Sequence, residues 1–272
     1  MPDVPDLVAE VRASRRYRHV SEEMIRRIGQ AELAAAPDRR AAVKAVKRKL
    51  HQAVGAFGRR PPYDGLLSAL QVAYQAHDSA SIAEACAAAL RWHASTRERL
   101  PILADLYGWV FGITGRPRRV LDLGCGLSPL ALPWMRLPAG ATYRAFDVDE
   151  LAVEFVNSFL ALAGLPPLAE VRDVVARPPE EDADVAFLLK MIPTLEQQEV
   201  GSSQRILEAL SVPFIVVSFP ARSLGGREKG MVRTYSQQME VLLSTRRWES
   251  QLLTFASELV YVIHKGSASR SQ

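Results

Sequence analysis

The chain reads as an α/β protein, a doubly wound parallel sheet preceded by an N-terminal helical domain. Three observations predict this. After Gly115, short apolar runs alternate with helical stretches, the rhythm of a sheet wrapped by crossover helices. Val120 to Pro129 reads Val-Leu-Asp-Leu-Gly-Cys-Gly-Leu-Ser-Pro, a buried strand ending in a carboxylate and a sharp glycine turn. Before it, Ala, Leu, Arg, Lys and Glu dominate from Asp6 to about Ala94, with apolar residues at helical spacing. The expected division is residues 1–100 for the helical part and 101–272 for the α/β part.

Taken in order, Ser21-Glu22-Glu23 reads as an N-cap with acids in the first turn, leading into Ile25 and Ile28 on one face. A second helix starts near Asp38. It carries Lys44, Lys47, Arg48 and His51 as one cationic stripe, opposite Val43, Val46, Leu50 and Val54. Breaks fall at Pro37 and at Arg59-Arg60-Pro61-Pro62. Buried strands are expected at Val120 to Leu123, Thr142 to Phe146, Val185 to Leu189 and Phe214 to Phe219, with a weaker one at Leu168 to Val171. Leu151 to Leu162 and Gln197 to Leu210 read as the intervening helices. Gln251 to Ala256 and Leu259 to His264 read as a closing hairpin, and Gly266 to Gln272 as a disordered tail.

Composition sets bounds on function. A hydrophobic content of 48% and a charged content of 24% suit a soluble, cored protein. Two cysteines, Cys86 and Cys125, make neither a disulfide framework nor a four-ligand zinc site, so no metal is implied and a reducing cytoplasm is expected. No signal pattern or membrane-length apolar run is seen. Residues 1–60 hold 14 Lys and Arg against 7 Asp and Glu, whereas the remainder holds 20 against 23. The basic excess is therefore N-terminal, as in a module that docks on phosphate-rich nucleic acid; a solvated helical surface would carry it too. Arg15-Arg16-Tyr17 and Arg59-Arg60 add cations beside an aromatic and a turn.

The glycine turn calls for a nucleotide-like cofactor. A dinucleotide fingerprint needs a third glycine where Pro129 stands. Asp122-x-Gly124-x-Gly126 after a strand is instead similar to the first motif of class I (Rossmann-like) S-adenosylmethionine-dependent methyltransferases. Ligands of doubly wound sheets lie beyond the carboxyl ends of the strands. Asp147, directly after the second strand, is placed for the ribose hydroxyls, and Asp173, after the third, for the adenine amino group. Asp149 reads as the cap of the next helix. The fourth strand ends Leu189-Lys190-Met191-Ile192-Pro193 and lacks the Asn/Asp-Pro-Pro-aromatic motif of exocyclic-amine methylation. Neither cysteine is placed as the nucleophile that pyrimidine C5 methylation requires. Acceptors already nucleophilic remain, such as guanine N7, for which positioning and electrostatics suffice.

Further segments carry a more specific resemblance. His93-Ala-Ser-Thr-Arg-Glu-Arg99-Leu-Pro101, Leu188-Leu-Lys-Met-Ile-Pro-Thr-Leu-Glu196, Phe219-Pro-Ala-Arg-Ser-Leu-Gly-Gly-Arg-Glu-Lys-Gly-Met231 and Glu258-Leu-Val-Tyr-Val-Ile263 resemble the aminoglycoside-resistance 16S rRNA (guanine-1405-N7)-methyltransferases. So do Ser14-Arg-Arg-Tyr17 and Leu50-His-Gln-Ala-Val-Gly-Ala-Phe57, and the likeness spans nearly the whole chain. Some members carry alanine at the place of Gly124, which puts weight on Gly126.

The resemblance implies S-adenosyl-L-methionine as cofactor, the small ribosomal subunit as substrate, N7 of a guanine near the decoding site as acceptor, and aminoglycoside resistance as outcome. It implies that Arg99 pairs with the cofactor's methionine carboxylate and that Tyr63 reaches the same end. Leu189 packs against adenine or the core. Lys190, with Arg227 and Lys229 of the loop after the fifth strand, positions the target nucleotide, and no side chain need act as a general base. RNA contacts are expected from Arg15, Arg16, Lys44, Lys47, Arg48, His51, Arg59, Arg222, Arg227 and Lys229 of a cytoplasmic monomer. Two alternatives are an adenine-N1 methyltransferase of the same region, for which Trp134 and Trp248 are not obviously arranged, and a non-catalytic RNA-binding factor that kept the fold.

Overall fold

A computed structural model describes residues 4–55, 60–221, 231–244, 246 and 248–266. Helices α1 (Val4–Arg12), α2 (Glu22–Ala35) and α3 (Arg39–Leu50) form a bundle with a core of its own, and a π-helical turn, His51–Gly55, follows. Leu7 and Val11, then Met24, Ile25 and Ile28, then Val43, Val46 and Leu50 are its buried faces. Helix α1 lies close on α2 at Gly29, where a Cβ would stand 2.8 Å from a Leu7 methyl. The Asp38 carboxylate accepts from the Ala41 amide at 2.8 Å and starts α3 as expected. Ser21 precedes α2 but caps it with no side-chain hydrogen bond.

Helices α4 (Tyr63–Gln75), α5 (Ser79–Leu90), α6 (Ala94–Arg99) and α7 (Leu103–Thr114) follow. Leu70, Cys86, Leu90, Leu106 and Val110 share one core with the strands, not with the bundle. Packing thus divides the chain between residues 54 and 63, earlier than the boundary expected near residue 100. Ala-rich helices look alike in sequence whether they cover a sheet or stand in a bundle.

The sheet has seven strands in the order β3-β2-β1-β4-β5-β7-β6. These are β1 (Arg119–Leu123), β2 (Thr142–Asp147), β3 (Leu168–Val171), β4 (Val185–Leu189), β5 (Phe214–Pro220), β6 (Glu249–Thr254) and β7 (Glu258–His264). The first five run parallel, and β7 lies antiparallel between β5 and β6. The hairpin was legible, but its insertion was not. Helices α8 (Leu132–Met135), α9 (Glu150–Leu162), α10 (Ile192–Gln198), α11 (Ser202–Ala209) and α12 (Met231–Ser244) complete the fold. The single helix expected over Gln197 to Leu210 is interrupted, because Gly201 adopts φ +81° between α10 and α11.

Chain order reverses between β1 and β4, which opens a crevice at their carboxyl ends. The bundle docks beside that crevice. The Ser21 amide donates to the Val148 carbonyl at 2.7 Å, the Glu150 amide donates to the His19 carbonyl at 2.9 Å, and Arg12 pairs with Glu150 at 2.8 Å. No helix among the described residues is long and apolar enough to cross a membrane.

Candidate cofactor and RNA site

A cavity of about 500 Å³ occupies the crevice. Gly124, Gly126 and Asp147 form its floor, Leu189, Lys190 and Met191 one wall, and Arg15, Arg16 and Met24 of the bundle another. Both glycines need positive φ, +64° and +49°. A Cβ on Gly124 would fall 2.3 Å from the Met191 sulfur, and one on Gly126 would fall 3.3 Å from the His93 ring. The turn is therefore a bare-backbone cradle. Gly126 donates its amide to the Asp147 carboxylate at 2.7 Å, and the Val148 and Asp149 amides donate to the other oxygen at 2.7 and 3.0 Å. Burial raises the Asp147 pKa, and these amides oppose it. Asp149 caps α9 as expected, accepting from Leu151 and Ala152 at 3.0 and 3.2 Å.

Tyr63 lines the cavity and packs against Phe155, the rings tilted by 35° with centroids 5.1 Å apart. Burial and the nearby Asp149 and Asp147 carboxylates raise its phenol pKa. Asp173 lines the far end, held by Arg27 through contacts of 2.6 and 3.2 Å. Lys190 takes a left-handed φ of +57° just after β4, stabilised by its amide donating to the Ser218 carbonyl and hydroxyl, both at 3.0 Å. Its ammonium meets Glu98 at 2.7 Å. His93 stands beside Gly126 with its pKa pushed down to about 4, first by burial and then by Arg99 and Lys190.

Two expected cofactor residues are not among those lining the cavity. Arg99 is fully buried, with its Nε and Nη2 on the Glu258 carboxylate at 2.9–3.1 Å and its Nη1 3.4 Å from Ser128 Oγ. Burial opposes its charge, but Glu258 outweighs this and holds its pKa above the usual value. Its partner Glu258 lies 159 residues away, and Arg99 is not part of the cavity lining. Asp122 is likewise absent from the lining, accepting from the Tyr143 hydroxyl at 2.7 Å, with burial pushing its pKa up to about 7 against Tyr143 and Arg99. It braces the turn from behind.

Sequence reasoning missed His93, which lines the cavity, and Arg27 and Glu258, which pair with the lining residues Asp173 and Lys190. Glu258 is buried at the start of β7, accepts from Ser218 Oγ and lies 3.7 Å from the Lys190 ammonium. An acid opening an otherwise apolar strand was the available signal.

On the surface, Arg15, Arg16, Lys44, Arg48 and His51 are exposed, and Lys47 is half-buried. The stripe and apolar face of α3 stand as the spacing predicts, with Val43, Val46 and Leu50 buried. Arg59, Arg222, Arg227 and Lys229 lie outside the described residues. Among the described residues, no cluster of three or more His, Cys, Asp or Glu could hold a metal ion.

The strand order with its antiparallel seventh strand, the glycine turn and the crevice carboxylates define a class I methyltransferase. The family model described as ribosomal RNA methyltransferase (FmrO) matches residues 13–262, and the chain belongs to that family. It is 43% identical over 259 residues to a 16S rRNA (guanine(1405)-N(7))-methyltransferase of Frankia casuarinae, covering 94% of this chain and 91% of that protein. The enzyme of the same name from Micromonospora rosea is 40% identical over 268 residues, covering 96% and 97%. Among solved structures, the 16S rRNA methyltransferase RmtF in complex with S-adenosyl-L-homocysteine has a TM-score of 0.84 and 32% identity, covering 98% of this chain and 99% of that one. The 16S rRNA methylase RmtB has a TM-score of 0.78 and 31% identity, covering 97% and 99%.

Proposed function

We propose that the chain methylates N7 of guanine 1405 in 16S rRNA, acting on the small ribosomal subunit with S-adenosyl-L-methionine and conferring aminoglycoside resistance. The observation that carries this is one cavity walled jointly by the methyltransferase turn and by the basic helical bundle. A methyl-donor site then opens beside a cationic RNA-docking face. The residues fit the cofactor: bare backbone at Gly124 and Gly126 allows close approach, Asp147 suits the ribose hydroxyls, Asp173 suits the adenine amino group, and Leu189 and Met191 supply apolar wall. Bound there, S-adenosylmethionine would supply an electrophilic methyl on a sulfonium.

Guanine N7 presents an in-plane lone pair, so no side chain has to remove a proton. The work of the chain is alignment and exclusion of water. Lys190 orients the target nucleotide from the cavity wall, and Arg227 and Lys229 grip its backbone. Arg15, Arg16, Lys44, Lys47, Arg48, His51, Arg59 and Arg222 meet rRNA phosphates, which fix register without reading bases. Neither Trp134 nor Trp248 lines the cavity. Trp134 sits in α8, facing a separate groove, and Trp248 lies under the Lys265 ammonium at 5.1 Å, which argues against a tryptophan-sandwiched adenine.

Incubating the protein with labelled S-adenosylmethionine and small subunits, then mapping the modified nucleotide, tests the reading. Methyl transfer to guanine 1405 is the expected result. A modified adenine, or no transfer, overturns it.

A further inference from the structure

The bundle does more at the crevice than offer cations to RNA. Arg27 of α2 holds the cavity-lining Asp173: its Nε donates to Asp173 Oδ2 at 2.6 Å and its Nη2 to Oδ1 at 3.2 Å. The same Nη2 donates to the Gln198 side chain at 2.7 Å, and Nη1 lies 3.6 Å from Glu199. One guanidinium thus links Asp173, the second residue after β3, to Gln198 at the end of α10. Four residues earlier on α2, the Glu23 carboxylate accepts from the Asp173 backbone amide at 3.2 Å and pairs with Arg177 at 2.5 Å. Helix α2 therefore holds both the main chain and the side chain of Asp173. Its own position is fixed by Ile25 and Ile28, buried in the bundle core.

We propose that Arg27 is a positioning residue for cofactor selection: by orienting Asp173 it makes the RNA-docking bundle part of the apparatus that recognises a 6-aminopurine. This rests on the cavity being the S-adenosylmethionine site. A forked guanidinium that engages both carboxylate oxygens fixes the plane of the carboxylate, which a lone ammonium would not. The Val175 amide, 3.1 Å from Oδ1, leaves Asp173 little other freedom. An oriented carboxylate accepts from an adenine amino group and repels the 6-oxo group of hypoxanthine. Loss of Arg27 releases the carboxylate, and the preference falls.

Calorimetric titration of the full chain with S-adenosylhomocysteine and S-inosylhomocysteine tests this in the wild type, Arg27→Ala, Arg27→Lys, Asp173→Asn and the Arg27→Ala/Asp173→Asn double variant. Arg12→Ala serves as a comparison, because it weakens bundle docking away from Asp173. The wild type is expected to prefer the adenosyl compound by about tenfold or more, the scale of one charge-assisted hydrogen bond. Arg27→Ala is expected to bring the ratio close to one, Arg27→Lys to restore part of it, and the double variant to be no weaker than Asp173→Asn. Arg12→Ala keeps the wild-type ratio. An unchanged ratio in Arg27→Ala, or equal loss in Arg12→Ala, overturns the proposal and leaves Arg27 as a tether for the bundle. Should Arg27→Ala not fold, the ratio in Arg27→Lys and Arg27→Gln decides. A wild type that binds neither compound overturns the cofactor reading itself, and this inference with it.

Discussion

Asp122 and Asp147 both sit at strand ends beside the glycine turn, yet they do opposite work. Asp147 faces the cavity, so Asp147→Ala is expected to weaken S-adenosylhomocysteine binding by tenfold or more, read by calorimetry, at about 1.5–3 kcal/mol per lost charged hydrogen bond. Asp122 faces the core. With its pKa raised to about 7, the native state retains a proton that the unfolded chain sheds near 3.8. The cost of ionisation is absent below that lower value, grows as pH rises, and is complete above 7. Asp122→Asn is therefore expected to melt above the wild type at pH 8, with the gap closing toward pH 4. An equal gap at both pH values would refute this. The two carboxylates were indistinguishable in sequence, because a motif tells which residues crowd a turn but not which way each points. Arg99 shows the same limit, since its partner lies on the last strand.

Helix α3 was the most legible element. Lys44, Lys47, Arg48 and His51 recur at helical spacing opposite Val43, Val46 and Leu50, and both faces emerged as the spacing requires. If the stripe meets rRNA phosphates, Lys44→Glu/Arg48→Glu weakens small-subunit binding and lowers the slope of log K against log salt by about one per lost contact. Affinity for S-adenosylhomocysteine stays put, because α3 reaches the cavity only beyond its end, at Ala53 and Val54. Filter binding across a salt series reads the first effect and calorimetry the second. Strands β1, β4 and β5 were equally plain, being buried on both faces along most of their length, whereas β2 alternates half-buried Thr142 and Arg144 with buried Tyr143 and Ala145. The break between α10 and α11 was not, since one glycine inside a helical pattern signals either a tolerated defect or a stop.

At the scale of the molecule, a bundle and a sheet with separate cores meet around one ligand cavity. S-adenosylhomocysteine at about 100 times its Kd contributes about 2.7 kcal/mol to the native state, a rise in Tm on the order of 5–10 °C for a chain of this length. Hydrogen exchange is expected to slow in α2 as well as in the β2–α9 turn. Protection confined to the sheet would show that the bundle takes no part in binding. Composition and charge told of two halves but not where they part, because α4 and α5 cover the sheet with the same alanine-rich faces that a bundle uses. The insertion of β7 between β5 and β6 has a consequence for synthesis. Arg99 comes early in the chain's order, but its counter-charge, Glu258, is made 159 residues later. A nascent or truncated chain that stops short of that strand would have to bury a bare cation beneath the cradle. Competence thus arrives only once β7 is out, and a frameshift at or before Glu258 would be as disabling as one at the glycine turn.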